Sequence, residues 1–357
     1  MSLIIVNATA LSAGGALTIL KQFLKHANNN HHKYLCFVSP DVKLNKYDNI
    51  YYIKVNTKSW IKRLYWDFYG IKTYLKKNRI CFDKVISLQN TTVNIDSKQI
   101  IYLHQSIPFS DIKISISSIG DIKLYLYSRF YKFFIFYFLK QDTIFIVQTY
   151  WMKNALSKYM DENNIFVIHP EIDIPLTKNE STNRKNVGSI KIIYPASVTS
   201  YKNHLIILKA INKLLTDGVD ITNLKYQITF NKGEFLLFDK KAKEYKIENH
   251  IEYLGVLSYQ AIFSKYLDAS ALIFPSYIET FGLPLVEAAS LGRHIIAADL
   301  PYAHDVLSGY DGVEFIKYDS VPLWAEAIRN LLTNTNKSYQ PIRLQHRMVW
   351  SDFFKLI

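Results

Sequence analysis

Short apolar runs alternate with helical patterns through the first half of the chain. The helical spacing is clear at Leu17, Leu20, Leu24 and Ala27, which share one face, and it returns over 59–78 and 150–160. The apolar runs are LIIVNA (3–8), YLCFVS (34–39), NIYYIKV (49–55), KVISLQ (84–89), QIIYLHQ (99–105), TIFIVQT (143–149) and NIFVIHP (164–170). Strands that alternate with helices predict a parallel sheet with helices on both faces.

The pattern stops at LTKNESTNRKNVGS (176–189), a polar stretch without periodicity, and then resumes. The second series of predicted strands is 190–197, 225–230, 251–255, 271–276, 294–299 and 313–318, with helical patterns at 203–216, 235–247, 258–268, 284–291 and 321–333. We therefore predict two α/β domains, 1–175 and 190–341, joined by a linker at 176–189 that serves as a hinge. The amphipathic tail 342–357 is predicted to be a last helix that packs back on the first domain.

Length and composition agree with two domains and favour a reducing compartment. A chain of 357 residues exceeds one ordinary domain, and its 49% apolar share is ample for two cores. Cys36 and Cys81 are expected to be free, buried thiols. No run approaches the ~18 uncharged apolar residues of a membrane span, and the start lacks the basic region of a signal peptide. We expect a cytoplasmic protein.

The net charge of +13 is unevenly distributed. Residues 1–187 carry 25 Lys and Arg against 13 Asp and Glu, whereas residues 188–357 carry 18 against 17. A basic half indicates an anionic partner, such as a membrane surface, nucleic acid or a phosphorylated substrate; a Lys-rich surface from an AT-rich gene is the alternative. The charge is not gathered on one helix or arm, so no nucleic-acid module is predicted.

Candidate chemistry lies at the carboxyl ends of predicted strands, where parallel sheets bind ligands. Gly14 and Gly15 follow the first strand and form either an anion site at a helix start or a plain tight turn. They do not make the G-x-G-x-x-G fingerprint of a nicotinamide dinucleotide site. His104 ends another strand and either holds a sugar or phosphate or is a hydrogen-bonded core histidine. Lys202 is either a point charge for a phosphate, with Ser197 nearby, or a surface lysine.

The segment ALIFPSYIETFGLPLVEAASLG (271–292) predicts a strand, a loop and a helix. Pro284 suits the first helical turn, and Gly282 and Leu283 would then expose amides to an anion. Glu287, assigned to that first turn, either accepts from vicinal ribose hydroxyls or only complements the helix dipole, worth ~0.3–1 kcal/mol. Glu279 lies on the loop, within reach of a sugar.

This segment resembles the E-x7-E motif of the GT-B fold retaining glycosyltransferases called family 4, or glycosyl transferases group 1. The resemblance continues through YPASVTSYKNHLIILKAI and HIIAADLPYAHDVL, and more loosely through LHQSIPF in the first domain. It implies an α/β chain of the GT-B class, with two Rossmann-like, doubly wound parallel-sheet domains facing a central cleft.

The resemblance also implies roles for individual residues. Lys202 would neutralise the diphosphate, Glu279 would lie by the transferred sugar, and His104 would contact that sugar near the reacting carbon. Glu287 would hold the ribose. The other implied contacts of the sugar nucleotide are Gly14, Gly15, Ser197, Leu254, Gly255, Phe281, Gly282 and Leu283. The family usually pairs its lysine with an arginine, but those places hold Ser197 and Tyr201, so either the affinity for the sugar nucleotide is lower or Lys232 or Arg293 compensates.

The implied activity is transfer of a hexosyl unit from a nucleoside-diphosphate sugar to a polyprenyl-diphosphate-linked glycan, in bacterial surface-polysaccharide synthesis such as that of O-antigen. No cofactor or metal is expected, and no clear D-x-D motif occurs. Aromatics interleaved with Lys and Arg at 122–140 suit the inner face of a membrane, or else a buried helix with a basic edge. The alternatives are a sugar-nucleotide epimerase or phosphorylase, and a non-catalytic binder of nucleic acid or glycan.

Overall fold

The chain folds into two compact units, described by a computed structural model over residues 2–110, 119–174, 188–333, 339–342 and 348–357. The first unit is Met1–Glu171 together with His346–Ile357, and the second is Ile172–Gln345. Most of the predicted linker, residues 175–187, lies outside the described ranges. None of the helices in those ranges has the length and apolarity that a membrane crossing requires.

The first unit contains a seven-stranded sheet in the order β3-β2-β1-β4-β5-β6-β7, and every neighbouring pair is parallel. Its strands are β1 (Leu3–Ala8), β2 (Lys33–Val38), β3 (Ile50–Lys54), β4 (Lys84–Ser87), β5 (Lys98–Leu103), β6 (Ile144–Val147) and β7 (Ile165–Val167). Its helices are α1 (Gly14–Asn28), α2 (Trp60–Tyr65), α3 (Ile71–Lys77), α4 (Ile119–Phe136) and α5 (Tyr150–Leu156).

The second unit contains a six-stranded parallel sheet in the order β10-β9-β8-β11-β12-β13. Its strands are β8 (Ile190–Tyr194), β9 (Leu224–Ile228), β10 (Ile251–Tyr253), β11 (Ala271–Phe274), β12 (Ile295–Ala298) and β13 (Val313–Ile316). Its helices are α6 (His204–Thr216), α7 (Leu236–Glu244), α8 (Tyr259–Asp268), α9 (Leu283–Ser290), α10 (Pro301–Val306) and α11 (Val321–Thr333). Both sheets are doubly wound, which confirms the predicted fold class.

The central strands are continuous apolar runs because helices cover both faces of each sheet. All four residues of β6, β11 and β12 are buried. Helix α1 buries Leu20, Phe23, Leu24 and Ala27, so its apolar residues repeat at the three- and four-residue spacing of one helical face. Of the two thiols predicted to be buried, Cys36 in β2 is, whereas Cys81 is exposed.

The predicted helix 59–78 is broken by a π-helical turn at Trp66–Gly70, which separates α2 from α3. Gly70 is required here because a Cβ atom at this position would lie 2.5 Å from the Trp66 ring. The turn places Asp67 against the end of β1, where its Oδ1 accepts from Asn7 Nδ2 over 2.8 Å. Such turns occur frequently at functional sites.

The C-terminal segment packs on the first unit through one helical turn, α12 (Trp350–Phe353). The Trp350 indole donates to Gln22 Oε1 over 2.8 Å and stacks on Tyr102 with ring centroids 5.1 Å apart. Trp350 and Phe353 are fully buried. The helix is shorter than the predicted 342–357, of which residues 343–347 lie outside the described ranges.

Candidate functional site

The strand order reverses between β8 and β11 in the second sheet and between β1 and β4 in the first. Loops that follow the two strands at such a point diverge and leave a crevice at the carboxyl edge, where open parallel sheets bind ligands. In the second unit these loops are 195–203, after β8, and 275–282, after β11. They contain Lys202 and Glu279, so the structure brings these two predicted residues to the same edge.

Hydrogen bonds join the two loops and fix their spacing. The Tyr201 carbonyl accepts from the Tyr277 amide over 2.9 Å and from Ser276 Oγ over 3.3 Å. Asn203 adopts a left-handed conformation (φ 57°) at the start of α6, and its Nδ2 donates to the carbonyls of Pro275 and Tyr318. One side-chain amide therefore connects the loops that follow β8, β11 and β13.

Lys202 and Glu279 form an ion pair across these loops, from Nζ to Oε1. Their side chains are 15% and 13% exposed, so water screens the pair only partly. The Tyr194 hydroxyl donates to the Lys202 carbonyl over 2.8 Å and holds the backbone beneath the ammonium group. The edge thus presents a fixed cation whose charge is balanced by one carboxylate.

Helix α9 begins beside this pair, with Gly282 as its N-cap. The left-handed conformation of Gly282 (φ 77°) favours glycine, and it turns the chain from the loop into the helix. Pro284 has no amide hydrogen, and the Leu285 amide donates to the Gly282 carbonyl over 2.9 Å. The amides of Gly282 and Leu283 have no earlier turn of helix to bond to and can meet an anion. Phe281, just before them in the chain, is buried.

Glu287 is the fifth residue of α9, so its prediction as a first-turn residue was wrong. It lies one turn inside the helix because α9 begins at Leu283, and it is 7% exposed. The Tyr266 hydroxyl of α8 donates to its Oε2 over 2.8 Å. Burial raises the pKa of Glu287 to about 7, and the bond from Tyr266 opposes that rise. A buried carboxyl at this depth has little dipole role, because the dipole effect decays within the first turn.

Leu254 and Gly255 follow β10 at the same edge of the sheet. The Leu254 amide donates to the Ile228 carbonyl over 2.8 Å. A Cβ atom at Gly255 would lie 2.8 Å from Asn231 Oδ1, so this glycine lets two loops approach each other. Ser197 is exposed, and the His204 ring Nε2 lies 3.1 Å from its carbonyl oxygen.

Arg293 was proposed as a compensating cation, and the structure contradicts this. Its guanidinium donates to the Ala269 carbonyl, which precedes β11, and Arg293 itself precedes β12. Both positions lie at the amino edge of the parallel sheet, opposite the edge that carries Lys202. Lys232, exposed in the loop after β9, lies at the carboxyl edge and remains the candidate.

Gly14 and Gly15 open helix α1 after β1 and are exposed. Gly14 has a positive φ of 56°, whereas Gly15 does not, and a Cβ atom on either would meet nothing within 4 Å. No side chain caps this helix at Ala13. The backbone conformation of Gly14 therefore explains why a glycine stands there. No atom of the described residues packs against Gly15, so no steric contact explains a glycine at that position.

His104 follows β5 directly, as predicted from its position at a strand end. Its amide donates to Asn90 Oδ1 over 2.7 Å, and its ring Nε2 lies 3.0 Å from the Leu88 carbonyl. Burial lowers the pKa of His104 to about 4, the Leu88 carbonyl opposes this, and the charge of Arg63 adds to it. The ring is neutral at pH 7 and donates from Nε2, so Nδ1 is its acceptor.

Three residues of the site were not predicted from the sequence: Tyr194, Asn203 and Tyr266. Asn203 carried a usable signal, since asparagine before a helix tolerates the left-handed region. The hydroxyls of Tyr194 and Tyr266 carried none, because their partners are 8 and 21 residues away. Nowhere in the described ranges do three His, Cys, Asp or Glu side chains gather in a way that would hold a metal ion.

The sequence profile of glycosyl transferases group 1 matches residues 177–347, nearly half of the chain. The O-antigen chain mannosyltransferase RfbU of Salmonella typhimurium is 21% identical over 245 residues, which are 66% of this chain and 65% of that protein. The match thus spans slightly less than two thirds of that relative's length.

Solved structures of similar fold cover nearly the whole chain. HepE of Anabaena, in complex with UDP and glucose, superimposes with a TM-score of 0.66 at 12% identity, over 94% of this chain and 91% of that one. WaaG, a glycosyltransferase involved in lipopolysaccharide biosynthesis, gives 0.67 at 14% identity, over 93% and 90%. The lipopolysaccharide outer core galactosyltransferase WaaB gives 0.62 at 14%, over 94% and 92%. The chain therefore has the GT-B fold.

Proposed function

We propose that this protein is a retaining glycosyltransferase of family 4 that moves a hexosyl unit from a nucleoside-diphosphate sugar to a lipid-linked glycan during synthesis of a bacterial surface polysaccharide. The observation that carries the proposal is the Lys202–Glu279 ion pair at the point of strand-order reversal, beside the first amides of α9. The match to glycosyl transferases group 1 and the O-antigen relative support the reaction class.

Lys202 and the amides of Gly282 and Leu283 stabilise the leaving group. As the bond from the sugar to the diphosphate breaks, negative charge grows on the departing oxygen. A fixed ammonium and fixed amide dipoles lower the energy of that charge without reorganising during the reaction. The departing phosphate takes the acceptor's proton, so the chain needs no strong base. Lys232 supplies further positive charge to a dianionic leaving group.

Glu287 and its neighbours hold the nucleoside. Its carboxylate accepts from the two vicinal ribose hydroxyls, and the base lies near Leu254 and Gly255. Glu279 contacts the transferred sugar, and in the absence of a ligand it neutralises Lys202. Because Glu287 is buried, few water molecules compete with the ribose hydroxyls for hydrogen bonds to its carboxylate.

In the first unit, the amide of Gly15 lies against a phosphate, and His104 accepts a hydrogen bond from the sugar at Nδ1. The open space at Gly15 supports the first contact. The neutral ring of His104, oriented by the Leu88 carbonyl, supports the second. We propose that the reaction needs no metal, and transfer that persists in the presence of EDTA would test this.

We also propose that helix α4 contacts the inner face of an anionic membrane. Its exposed side chains Ile122, Leu126, Phe130 and Phe133, continued by Tyr137 just after the helix, form one stripe, and they are 44–60% exposed. The basic balance of residues 1–187 adds attraction to anionic lipid. Other residues of the same helix, such as Tyr131 and Ile135, are buried. Helix α4 therefore packs on the core with one face and exposes the other.

A thermal-shift panel of UDP-, GDP-, ADP- and dTDP-sugars tests the reaction class. A ligand that binds only the folded protein raises its melting temperature, and we expect one base to do so. Release of the nucleoside diphosphate only in the presence of a lipid-linked acceptor would separate a transferase from an epimerase. An absence of any shift with all four would contradict the proposal.

Lys202→Met tests the leaving-group role. We expect kcat/KM to fall about a hundredfold or more, because a cation aimed at the departing oxygen is lost. Lys209→Met is the matched control, since Lys209 is an exposed lysine of the adjacent helix α6. Equal effects of the two substitutions would show that Lys202 has no specific role.

A further inference from the structure

Tyr302 lies in the short helix α10, after β12, and its side chain reaches the loop 275–282 that follows the neighbouring strand β11. Its hydroxyl donates to the Ser276 carbonyl over 2.6 Å. Tyr302 is 3% exposed and Ser276 is fully buried. The bond therefore joins α10 to this loop at a place that is shielded from solvent.

Three successive residues before Glu279 have a backbone group that bonds to a partner outside the loop. The pairs are Pro275 with Asn203, Ser276 with Tyr302, and Tyr277 with Tyr201. Among the described residues, the Ser276 carbonyl meets no hydrogen-bond donor other than the Tyr302 hydroxyl. A buried carbonyl without a donor costs free energy, so loss of that hydroxyl favours a movement of the loop toward water.

Two buried apolar side chains lie on either side of Glu279 in the same loop. Ile278 precedes it and Phe281 follows it, and both are 3% exposed. The Glu279 side chain itself reaches the ammonium group of Lys202. Because the flanking side chains are packed, the place of the carboxylate follows the place of the loop backbone. A shift at Ser276 therefore moves the carboxylate relative to Lys202.

The other member of the ion pair is held in the same way. The Tyr194 hydroxyl donates to the Lys202 carbonyl over 2.8 Å, and Tyr194 is fully buried. Burial raises the pKa of Tyr194 and of Tyr302 well above the ordinary value, and the charge of Glu279 adds to both rises. Both hydroxyls therefore stay protonated at neutral pH, and each fixes the backbone near one member of the pair.

We propose that Tyr302 is a positioning residue for recognition of the donor sugar: its bond to the Ser276 carbonyl holds Glu279 where the carboxylate meets the transferred sugar. This inference rests on the proposed function, in which Glu279 contacts that sugar, and adds the residue that sets the place of the contact. Tyr302 acts only through the loop, because its own side chain is buried.

A ratio of two dissociation constants tests this role. The ratio is the Kd of a nucleoside diphosphate divided by the Kd of the same nucleotide with its sugar, and we call it the sugar preference. Both constants are measured by calorimetry on the whole protein, with the UDP-, GDP-, ADP- or dTDP-sugar that raises its melting temperature most. We expect Tyr302→Phe to lower the sugar preference about fivefold and to change the Kd of the nucleoside diphosphate less than about twofold, because Glu279 contacts the sugar.

Tyr310→Phe is the matched control. The Tyr310 hydroxyl donates to the Arg293 carbonyl, and Tyr310 is 5% exposed, so this substitution also removes a buried bond from a phenol to a backbone carbonyl. Arg293 precedes β12 and lies at the edge of the sheet opposite Glu279. Both variants should unfold at lower denaturant concentration by a similar amount, but Tyr310→Phe should keep the wild-type sugar preference. An equal fall of the sugar preference in the two variants would overturn the inference.

A double-mutant cycle with Glu279→Gln tests whether Tyr302 acts through Glu279. Glu279→Gln alone should lower the sugar preference about fivefold or more, because a charged hydrogen bond to the sugar is lost. In the Glu279→Gln background, Tyr302→Phe should lower it less than about twofold further, since the carboxylate that it positions is absent. Losses that multiply would show that Tyr302 acts by another route and would overturn the inference.

Ser276→Ala provides a second variant, which keeps the Ser276 carbonyl and its bond from Tyr302. It removes Ser276 Oγ, which lies 3.3 Å from the Tyr201 carbonyl oxygen, but the Tyr277 amide still donates to that carbonyl. The sugar preference should therefore fall less than about twofold. A larger fall than in Tyr302→Phe would assign the place of the loop to the serine hydroxyl and would overturn the role of Tyr302.

The same measurements separate this inference from the proposed function. If wild type binds none of the four sugar nucleotides, the proposed function fails. If Glu279→Gln leaves the sugar preference unchanged, the contact of Glu279 with the sugar fails, and the inference fails with it. If Glu279→Gln lowers the sugar preference and Tyr302→Phe does not, only the positioning role of Tyr302 fails.

Discussion

The Tyr266 hydroxyl donates to Glu287 Oε2 over 2.8 Å, and both side chains are buried. Burial raises the pKa of Glu287 to about 7, and the bond from Tyr266 opposes that rise. The carboxyl is thus half ionised near neutral pH, and it can accept from ribose hydroxyls on both oxygens only when ionised. If Glu287 holds the ribose as proposed, protonation and nucleotide-sugar binding compete at this group.

Nucleotide-sugar affinity should rise with pH. A carboxyl with a pKa of about 7 is ~9% ionised at pH 6 and ~91% ionised at pH 8, so the apparent Kd should fall about tenfold across this range. Calorimetric titration at several pH values measures it. Glu287→Gln cannot ionise and should bind weakly with no pH dependence. A wild-type affinity that is constant from pH 6 to 8 would contradict the ribose role.

Tyr266→Phe should move the pH midpoint of binding upward. The hydroxyl stabilises the ionised carboxylate, so its loss raises the pKa of Glu287 and lowers affinity at pH 7. Tyr259→Phe is the control on the same helix, because Tyr259 is 45% exposed and no hydrogen bond joins it to Glu287. The same midpoint in Tyr266→Phe and wild type would show that the bond does not tune this group.

Gly282→Ala should weaken nucleotide-sugar binding as well as stability. Its positive φ costs an alanine about 1–2 kcal/mol, and the added Cβ would lie 3.2 Å from Leu285. The start of α9 must then shift, and its first amides with it. Gly218→Ala is the matched control, since Gly218 has nearly the same φ of 75° and an open surrounding after α6.

Both glycine variants should lose a similar amount in chemical denaturation, but only Gly282→Ala should raise the Kd for the nucleotide sugar. An equal Kd in the two variants would mean that the amides at the start of α9 do not bind the ligand.

Gly15→Ala separates ligand contact from folding in the first unit. The position has an ordinary φ and open space around it, so alanine should leave the melting temperature unchanged or raise it, by up to about 1 kcal/mol of stability. If a phosphate lies against Gly15, the new methyl group should weaken nucleotide-sugar binding severalfold. Unchanged affinity would remove Gly15 from the site.

The sequence predicted the two sheets well because buried parallel strands are continuous apolar runs. The predicted strands were too long where a backbone amide bonds to a distant residue instead of to the neighbouring strand. The run 99–105 gave a strand only to Leu103, because the His104 amide donates to Asn90. The run 164–170 ended at Val167, and the His169 amide donates to the Met348 carbonyl. Neither partner can be seen in a local pattern.

The residues of the candidate site could be predicted where they directly follow a strand in the sequence. They could not be predicted where their position depends on three-dimensional packing. Lys202 and Glu279 follow adjacent strands, so the strand-end rule brought them together. Arg293 was mistaken for a site cation because its distance along the chain from α9 does not reveal that it lies at the opposite edge of the sheet. The short helix α10 was not predicted at all, since six residues give too little periodicity.

The core of the first unit has a consequence for the order of folding during synthesis. Trp350 and Phe353 are fully buried there, and the Trp350 indole is held by Gln22, more than three hundred residues earlier. The ribosome releases residues 350–353 only after the whole second unit has emerged. During translation, the apolar surface beneath Trp350 therefore stays uncovered until the second unit has been made, although the sheet of the first unit is made earlier.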